Sequence, residues 1–169
     1  MSAARIKGIV FDVDGVLTDG ALFYGPGGEA LKRFNVKDGH AMVMARLVSM
    51  PVAIRTARNS PIVEVRAKEL KLAHVFQGRI HKGPAFEELA AEMKLAPEEL
   101  AYMGDDVNDL PALTRCGFSG CPADAVDEVR AAVHFVASKP GGHGAAREFI
   151  EHLLKATGRW EAALDHARK

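Results

Sequence analysis

The sequence has few cysteines, no excess charge of either sign and no long apolar run. Its two cysteines, Cys116 and Cys121, are too few for a zinc set or a disulfide framework, so we interpret them as free thiols. No stretch approaches the ~20 apolar residues of a membrane span. Residues 1–7 lack the apolar core of a signal peptide. These absences predict a soluble, cytoplasmic protein with no membrane partner.

The balance of charge excludes a further class of function. Basic and acidic residues number 22 each, so the formal net charge is zero. A general nucleic-acid binder needs a basic excess to neutralise phosphates, so no nucleic-acid partner is expected. A small local phosphate site remains compatible with this balance. The length of 169 residues and the hydrophobic content of 48% predict one domain, residues 1–169, with a sizeable core.

The order of apolar segments predicts an α/β fold. Short apolar runs typical of strands alternate with segments of helical spacing, which favours a doubly wound parallel sheet. Strands are predicted at 7–11, 51–56, 73–77, 100–103, 117–121 and 132–136. Helices are predicted from Gly39 with Asp38 as N-cap, from Pro61 with Ser60 as N-cap, and over 81–95, 108–115 and 145–157. The polar remainder, 158–169, is interpreted as a weakly helical, mobile tail.

A β-hairpin is predicted near the N-terminus. Two extended runs, 17–24 and 30–36, flank the turn sequence Gly25-Pro26-Gly27-Gly28. The hairpin, about 17–36, is rich in apolar residues for a surface feature. An exposed apolar hairpin usually covers something or meets a partner.

Polar side chains follow three of the predicted core strands. Because the carboxyl ends of parallel strands meet at one edge, where ligands bind in such sheets, these side chains are expected to form one site. They are Asp12 and Asp14 after the strand at 7–11, Thr56 at the end of the strand at 51–56, and Asp105, Asp106 and Asp109 after the strand at 100–103.

The residue types at this edge suit phosphoryl transfer. Asp12 and Asp14 lie so close in sequence that they would repel each other without a cation between them. Clustered carboxylates favour a hard cation, and Mg²⁺ is the best candidate. The metal and Lys82 would neutralise phosphoryl oxygens while an aspartate attacks phosphorus in line, and Thr56 offers a hydroxyl.

Simpler interpretations exist for several of these residues. Thr56 could be a capping hydroxyl and Lys82 a solvated lysine at a helix start. Asp106 and Asp109 could be carboxylates favoured by a helix N-terminus. The remaining open cases are Arg58 as a plain surface charge, Gly141 to Gly144 as a loop, and His40, His81 and His143, which share no metal-ligand spacing.

The motifs, taken together, resemble those of the haloacid dehalogenase (HAD) superfamily of phosphatases. They are Asp12-Val13-Asp14-Gly15, Thr56, Lys82 and Gly104-Asp105-Asp106-Val107-Asn108-Asp109, in that family's order. Over roughly residues 5 to 155 the chain more closely resembles the 3-deoxy-D-manno-octulosonate 8-phosphate phosphatase family. The similar segments include Phe34-Asn35-Val36-Lys37-Asp38-Gly39 and Gly141-Gly142-His143-Gly144-Ala145-Ala146-Arg147-Glu148.

The resemblance implies a role for each position. Asp12 would be the nucleophile that forms an aspartyl-phosphate, and Asp14 the general acid and base. Thr56 and Lys82 would hold the phosphoryl group, and Arg58 is a candidate substrate contact. Mg²⁺ would be bound by Asp12, the Asp14 backbone carbonyl and Asp105, with Asp106 or Asp109 supporting the metal or Lys82.

The resemblance also implies an architecture and a substrate. The fold would be HAD-like, without a large cap domain, in a homotetramer whose hairpin helps close a neighbour's site. The substrate would be 3-deoxy-D-manno-octulosonate 8-phosphate, a lipopolysaccharide precursor. Two departures from the family's second motif, Arg55 for an apolar residue and Ala57 for glycine, bear on the substrate and on catalytic efficiency.

Three rival functions remain at this point. One is a phosphatase for a sialic-acid-type, nine-carbon 9-phosphate, and another is a catalytically silent HAD-like subunit that binds a partner. The third is a phospho-acceptor signalling domain, whose acceptor would follow a middle strand. The position of Asp12 and Asp14 after the first strand argues against the third.

Overall fold

The computed structural model describes residues 2–168, which contain a six-stranded, all-parallel sheet and a separate two-stranded hairpin. The sheet strands are β1 (Gly8–Phe11), β4 (Val52–Arg55), β5 (His74–Phe76), β6 (Leu100–Met103), β7 (Phe118–Cys121) and β8 (Phe135–Val136), and the hairpin strands are β2 (Phe23–Gly25) and β3 (Gly28–Leu31). The sheet order is β5-β4-β1-β6-β7-β8. Phe11 pairs with Ile54 on one side and with Met103 on the other, so the three central strands end level.

Helices cover both faces of the sheet, which confirms the doubly wound fold. They are α1 (Val36–Leu47), α2 (Pro61–Glu69), α3 (Lys82–Glu92), α4 (Leu110–Leu113), α5 (Asp127–Ala132), α6 (Ala145–Ala156) and α7 (Trp160–Ala167). Within residues 2–168, none of these helices is long and apolar enough to cross a bilayer. No large cap domain is present among the described residues.

The two faces of each central strand belong to different cores because side chains alternate along a strand. Ile9 and Phe11 of β1 pack in the cluster that includes α1, α2, α6 and α7. Val10 points the other way, into the cluster formed by α3, α4 and α5. All four residues of β1 are buried, and burial of each large apolar side chain contributes about 1.5–3 kcal/mol. This double burial fixes the strand end from which the polar residues emerge.

The hairpin and the first helix differ from the prediction in their boundaries. Ordered pairing covers only β2 and β3, while Leu17 is buried in the main core rather than in the hairpin. Helix α1 begins at Val36 and not at Gly39, because Asn35 is the N-cap and its side chain accepts from the Lys37 amide at 2.8 Å.

Asp38 caps a different helix from the one predicted. It is buried in the first turn of α1, and its carboxylate accepts hydrogen bonds from the amides of Gly144 and Arg147 at the start of α6. Burial raises the pKa of Asp38, while these two amides counteract that rise. Ser60 is the N-cap residue of α2 and Pro61 its first residue, as predicted, although the Ser60 side chain makes no cap bond.

The C-terminal segment, interpreted from the sequence as a weakly helical, mobile tail, is helical and packs on the main core. Residues 160–167 form α7, whose Ala163 is fully buried in the main core. The Arg147 guanidinium and the Lys155 ammonium lie over the Trp160 ring, 5.8 Å and 5.0 Å from its centroid. The predicted strand 132–136 is also shortened to β8, because α5 extends to Ala132.

Candidate active site

The site lies at the carboxyl edge of the sheet, between β1 and β6. From this point successive strands are added in opposite directions along the sheet, β4 and β5 on one side and β7 and β8 on the other. The loop after β1 starts with Asp12, whose amide donates to the Met103 carbonyl at 3.0 Å. Gly15 follows with φ +84°, and a side chain there would collide with the Asp105 carboxylate. Glycine is therefore required for the acidic loop to approach the end of β6.

A buried lysine joins two of the carboxylates. Lys82, the first residue of α3, places its ammonium 2.8 Å from Asp12 Oδ2 and 2.6 Å from Asp109 Oδ1. Its side chain is 2% exposed, which excludes the solvated lysine considered from sequence. Tyr102 donates its phenolic hydrogen to the same Asp109 oxygen at 2.7 Å. The ammonium is thereby fixed beside the proposed nucleophile.

Asp109 has no free capacity left for another strong ligand. Besides the bonds from Lys82 and Tyr102, its Oδ2 accepts from the amides of Asp105 and Asp106 at 3.2 and 3.3 Å. Asp106 accepts from the Val107 amide at 2.6 Å and caps the turn that begins there. Of the two roles left open for Asp109, the geometry favours support of Lys82 over binding of the metal.

The carboxylates fit a hard divalent cation. One oxygen each of Asp12, Asp105 and Asp109 lie within 4.8 Å of one another. Burial, and then the charges of Asp109 and Asp12, raise the pKa of Asp105 to about 8. Burial and Asp109 likewise raise the pKa of Asp12 to about 6, against the opposing effect of Lys82. A cation between Asp12 and Asp105 would remove this repulsion, and among residues 2–168 no histidine joins such a cluster.

A cavity of about 250 Å³ opens above these carboxylates. Six residues singled out from the sequence line it together: Asp12, Asp14, Thr56, Arg58, Lys82 and Asp105. Thr56 Oγ1 accepts from the Arg58 amide at 3.2 Å, which leaves its own hydrogen to be donated to a ligand. Asp106 and Asn108 are also on the wall. The structure therefore brings the predicted site together, while the role of each residue stays a prediction.

Two charged hairpin residues at the site were missed by the sequence analysis. Lys32 pairs with Asp14, and Glu29 contacts both Lys32 Nζ, at 3.0 Å, and Arg58 Nη2, at 3.4 Å. Ser60 donates to Glu29 through its hydroxyl. The available signal was a pair of opposite charges three residues apart in a hairpin rich in apolar residues. The hairpin therefore contacts the candidate active site of the same chain.

The two departures in the second motif have different positions. Arg55 is fully buried at the end of β4 and donates to the Arg79 carbonyl, so it does not line the cavity. Its Nε and Nη1 have no partner among the described residues. Ala57 does line the cavity. Only Ala57 is therefore placed to alter contacts with a ligand directly.

The Gly141–Gly144 segment packs against the loop that follows β1 and carries Asp12 and Asp14. The Gly142 amide donates to the Val16 carbonyl at 3.0 Å, and a side chain on Gly141 would collide with the Gly15 carbonyl. His143 contacts Arg33 of the hairpin root at 2.7 Å. The segment is thus more than a flexible lead into α6, since it fixes the loop that carries the acids.

Comparison with known proteins defines the class. Residues 50–149 match the haloacid dehalogenase-like hydrolase family. The chain is 40% identical over 161 residues to the 3-deoxy-D-manno-octulosonate 8-phosphate phosphatases of Salmonella typhi and Escherichia coli K12, covering 95% of this chain and 86% of each relative. The chain therefore belongs to the haloacid dehalogenase-like hydrolases, as the motifs indicated.

Solved structures of phosphatases for one sugar-acid phosphate are similar to this chain over nearly its whole length. A cobalt-bound deoxy-D-mannose-octulosonate 8-phosphate phosphatase from Haemophilus influenzae superposes with a TM-score of 0.93 at 40% identity, covering 96% of this chain and 95% of its own. The Moraxella catarrhalis 3-deoxy-D-manno-octulosonate 8-phosphate phosphatase, in complex with magnesium, phosphate and KDO, gives 0.92 at 35% identity, covering 97% and 94%. The closer resemblance suggested by the sequence is thereby confirmed.

The raised pKa of Asp105 predicts how stability of the metal-free protein depends on pH. The folded state binds this proton more tightly than the unfolded chain, so the free energy of unfolding falls as pH rises from 3.8 towards about 8. Asp105→Asn removes the charge and should raise Tm at about pH 9, by about 2–4 °C for each kcal/mol gained.

The measurement is thermal unfolding in excess chelator at about pH 9 and about pH 4, where the difference should nearly vanish. Asp106→Asn, the same chemical change at the more exposed neighbour, is the matched control and should shift Tm less. A lower Tm for Asp105→Asn at the higher pH would contradict the account of carboxylate repulsion.

Proposed function

We propose that the protein is a Mg²⁺-dependent phosphatase that hydrolyses 3-deoxy-D-manno-octulosonate 8-phosphate through an aspartyl-phosphate. The carrying observation is the Asp12 carboxylate, buried and hydrogen-bonded to Lys82, at the base of a cavity shared with Asp14, Thr56 and Asp105. The relatives named for this substrate cover nearly the whole chain. Residues 1–169 would act as a single HAD-like domain.

The first half of the reaction transfers the phosphoryl group to the enzyme. One Asp12 carboxylate oxygen attacks phosphorus as the bond from phosphorus to the sugar oxygen breaks. Asp14 gives its proton to that oxygen, so the sugar acid leaves as a neutral alcohol at this position. The products of this step are an acyl phosphate on Asp12 and an ionised Asp14.

The second half releases phosphate. The Asp14 carboxylate takes a proton from water, whose oxygen attacks the phosphorus of the acyl phosphate. The bond from phosphorus to Asp12 breaks, which returns Asp12 as a carboxylate and Asp14 as an acid. Both residues line the same cavity, as this exchange of roles requires.

The remaining residues hold the charge of the phosphoryl group. The Lys82 ammonium and the Thr56 hydroxyl would bind its equatorial oxygens, and Asp109 and Tyr102 would keep Lys82 in place. When bound by Asp12, the Asp14 carbonyl and Asp105, Mg²⁺ would supply electrostatic stabilisation of the transferring group. Arg58, partly exposed at the cavity wall, would contact the sugar acid.

Two alternatives are weaker. A nine-carbon, sialic-acid-type 9-phosphate has the same reacting group, and its extra length would have to be accommodated between Arg58 and the hairpin. The burial of Lys82 between two carboxylates argues against a catalytically silent subunit. Each buried ion loses several kcal/mol of hydration, which the pairing must offset, and a silent subunit would gain nothing from this arrangement.

The hairpin also supports a proposal about assembly. Its outer residues Leu22, Phe23, Tyr24 and Leu31 are between 42% and 65% exposed. Such a cluster on a small fold is typical of a protein interface. We therefore retain the homotetramer, with the hairpin as the contact to a neighbour, and a cytoplasmic location as proposals.

The substrate is tested by steady-state assays on a panel of sugar phosphates that includes both named acids, with and without chelator. We expect the highest kcat/KM for the eight-carbon acid, loss of activity in chelator and its return with Mg²⁺. Asp12→Asn should lower kcat by more than about 10³-fold, because the amide is a poor nucleophile. A higher kcat/KM for the nine-carbon 9-phosphate would overturn the substrate, and wild-type turnover by Asp12→Asn would overturn the mechanism.

The assembly is tested by light scattering combined with chromatography. The wild-type chain should elute as a tetramer, and Phe23→Glu should dissociate it by placing a charge in the apolar contact. Val65→Glu, a matched change at an exposed residue of α2, is the control and should leave the mass unchanged. A fully active wild-type monomer would rule out the proposed contact.

A further inference from the structure

Lys32 carries a buried side chain in a hairpin that is otherwise largely exposed. Its side chain is only 2% exposed, although residues around it in the hairpin are exposed. Its ammonium lies between two carboxylates, in contact with Asp14 Oδ1 and 3.0 Å from Glu29 Oε1. A lysine is rarely buried to this extent unless it is paired, so the arrangement requires both acids.

Glu29 connects Lys32 to the rest of the site. It accepts from the Ser60 hydroxyl and lies 3.4 Å from Arg58 Nη2, while Arg58 also reaches the Tyr24 hydroxyl at 3.3 Å. Desolvation opposes ionisation of Glu29, but the hydrogen bonds from Ser60 and Lys32 hold its pKa below the usual value. The hairpin is therefore docked on its own subunit through a charged network.

The two oxygens of Asp14 have different surroundings in this network. Oδ1 accepts from Lys32, so it is held by the hairpin. Oδ2 lies 3.9 Å from Arg58 Nε, and both Asp14 and Arg58 line the cavity. Among the described residues no group donates a hydrogen bond to Oδ2, so Oδ2 is the oxygen available to exchange a proton with a group in the cavity.

We propose that Lys32 is a positioning residue for Asp14, which fixes the carboxyl group so that Oδ2 carries the proton given to the leaving oxygen. The proposal rests on the proposed function, because it assumes that Asp14 is the general acid. Lys32 is not among the residues that line the cavity, so it would act through Asp14. The hairpin would then have a second task within its own subunit, independent of any contact with a neighbour.

This role has a distinctive kinetic consequence. Protonation of the leaving oxygen matters greatly for a poor leaving group such as an alkoxide and little for 4-nitrophenolate, which departs without a proton. A misplaced Asp14 should therefore slow alkyl phosphates selectively. General-acid catalysis contributes about 10²–10⁴-fold, and loss of its alignment should remove about 10–100-fold of that.

The experiment measures kcat/KM for wild type and Lys32→Met on a series of aryl and alkyl phosphates of increasing leaving-group pKa. We expect a steeper decline of log kcat/KM with leaving-group pKa in Lys32→Met, with 4-nitrophenyl phosphate changed less than about 3-fold. Asp14→Asn should show the same change in slope, and Glu29→Gln, which loosens Lys32, a smaller one. Lys37→Met, at an exposed lysine of α1, is the control and should match wild type.

Each outcome decides the proposal. Rates lowered equally for all leaving groups would assign Lys32 a structural role only, and an unchanged slope with unchanged rates would assign it none; both overturn the proposal. Circular dichroism and the mass in solution establish that each variant is folded and assembled. If wild type shows no preference for sugar acids but Lys32→Met still steepens the slope, the substrate is wrong while the positioning role stands.

Discussion

The central constraint on this structure is the convergence of three carboxylates, two of them buried, beside one buried ammonium. Asp12, Asp105 and Asp109 converge at the end of the sheet, and Lys82 contacts two of them. Each buried ion costs several kcal/mol in lost hydration, which the ion pair and its hydrogen bonds must offset. Burial, and then repulsion among the acids, raise the pKa values of Asp12 and Asp105, and the single ammonium of Lys82 offsets this only in part. The deficit in positive charge is what a divalent cation would supply.

Much of the surrounding structure follows from that constraint. Asp109 holds Lys82 only because Tyr102 and two backbone amides fix its carboxylate. The close approach of the loops depends on Gly15. The register of the parallel pairing brings the ends of β1, β4 and β6 level, so that residues distant in sequence reach the same point. The arrangement is poor for stability without a ligand and well suited to binding a cation and a phosphate, as is typical of functional sites.

The fold and the central site residues could be predicted because they depend on regularities of the chain. Apolar runs and helical spacing gave the parallel sheet, and the rule that strand ends share an edge grouped Asp12, Thr56 and Asp105. Other features depend on which side chain approaches which backbone group across the fold. The sequence could not show that Asp38 caps α6, that Asp109 has all its bonds within the protein, or that Lys32 reaches Asp14. The sequence indicated only weak helicity in the C-terminal segment, because the burial of α7 comes from packing on the main core rather than from its own composition.

The proposed mechanism requires Asp12 as the nucleophile, and trapping of the acyl phosphate tests this most directly. Enzyme mixed with substrate and Mg²⁺ is quenched during the first turnover, treated with borohydride and digested for mass spectrometry. Borohydride reduces an acyl phosphate to an alcohol, so we expect homoserine at position 12. The homoserine should appear only with substrate and disappear as turnover ends. Homoserine at position 14, or none at position 12 while phosphate is released, would contradict it.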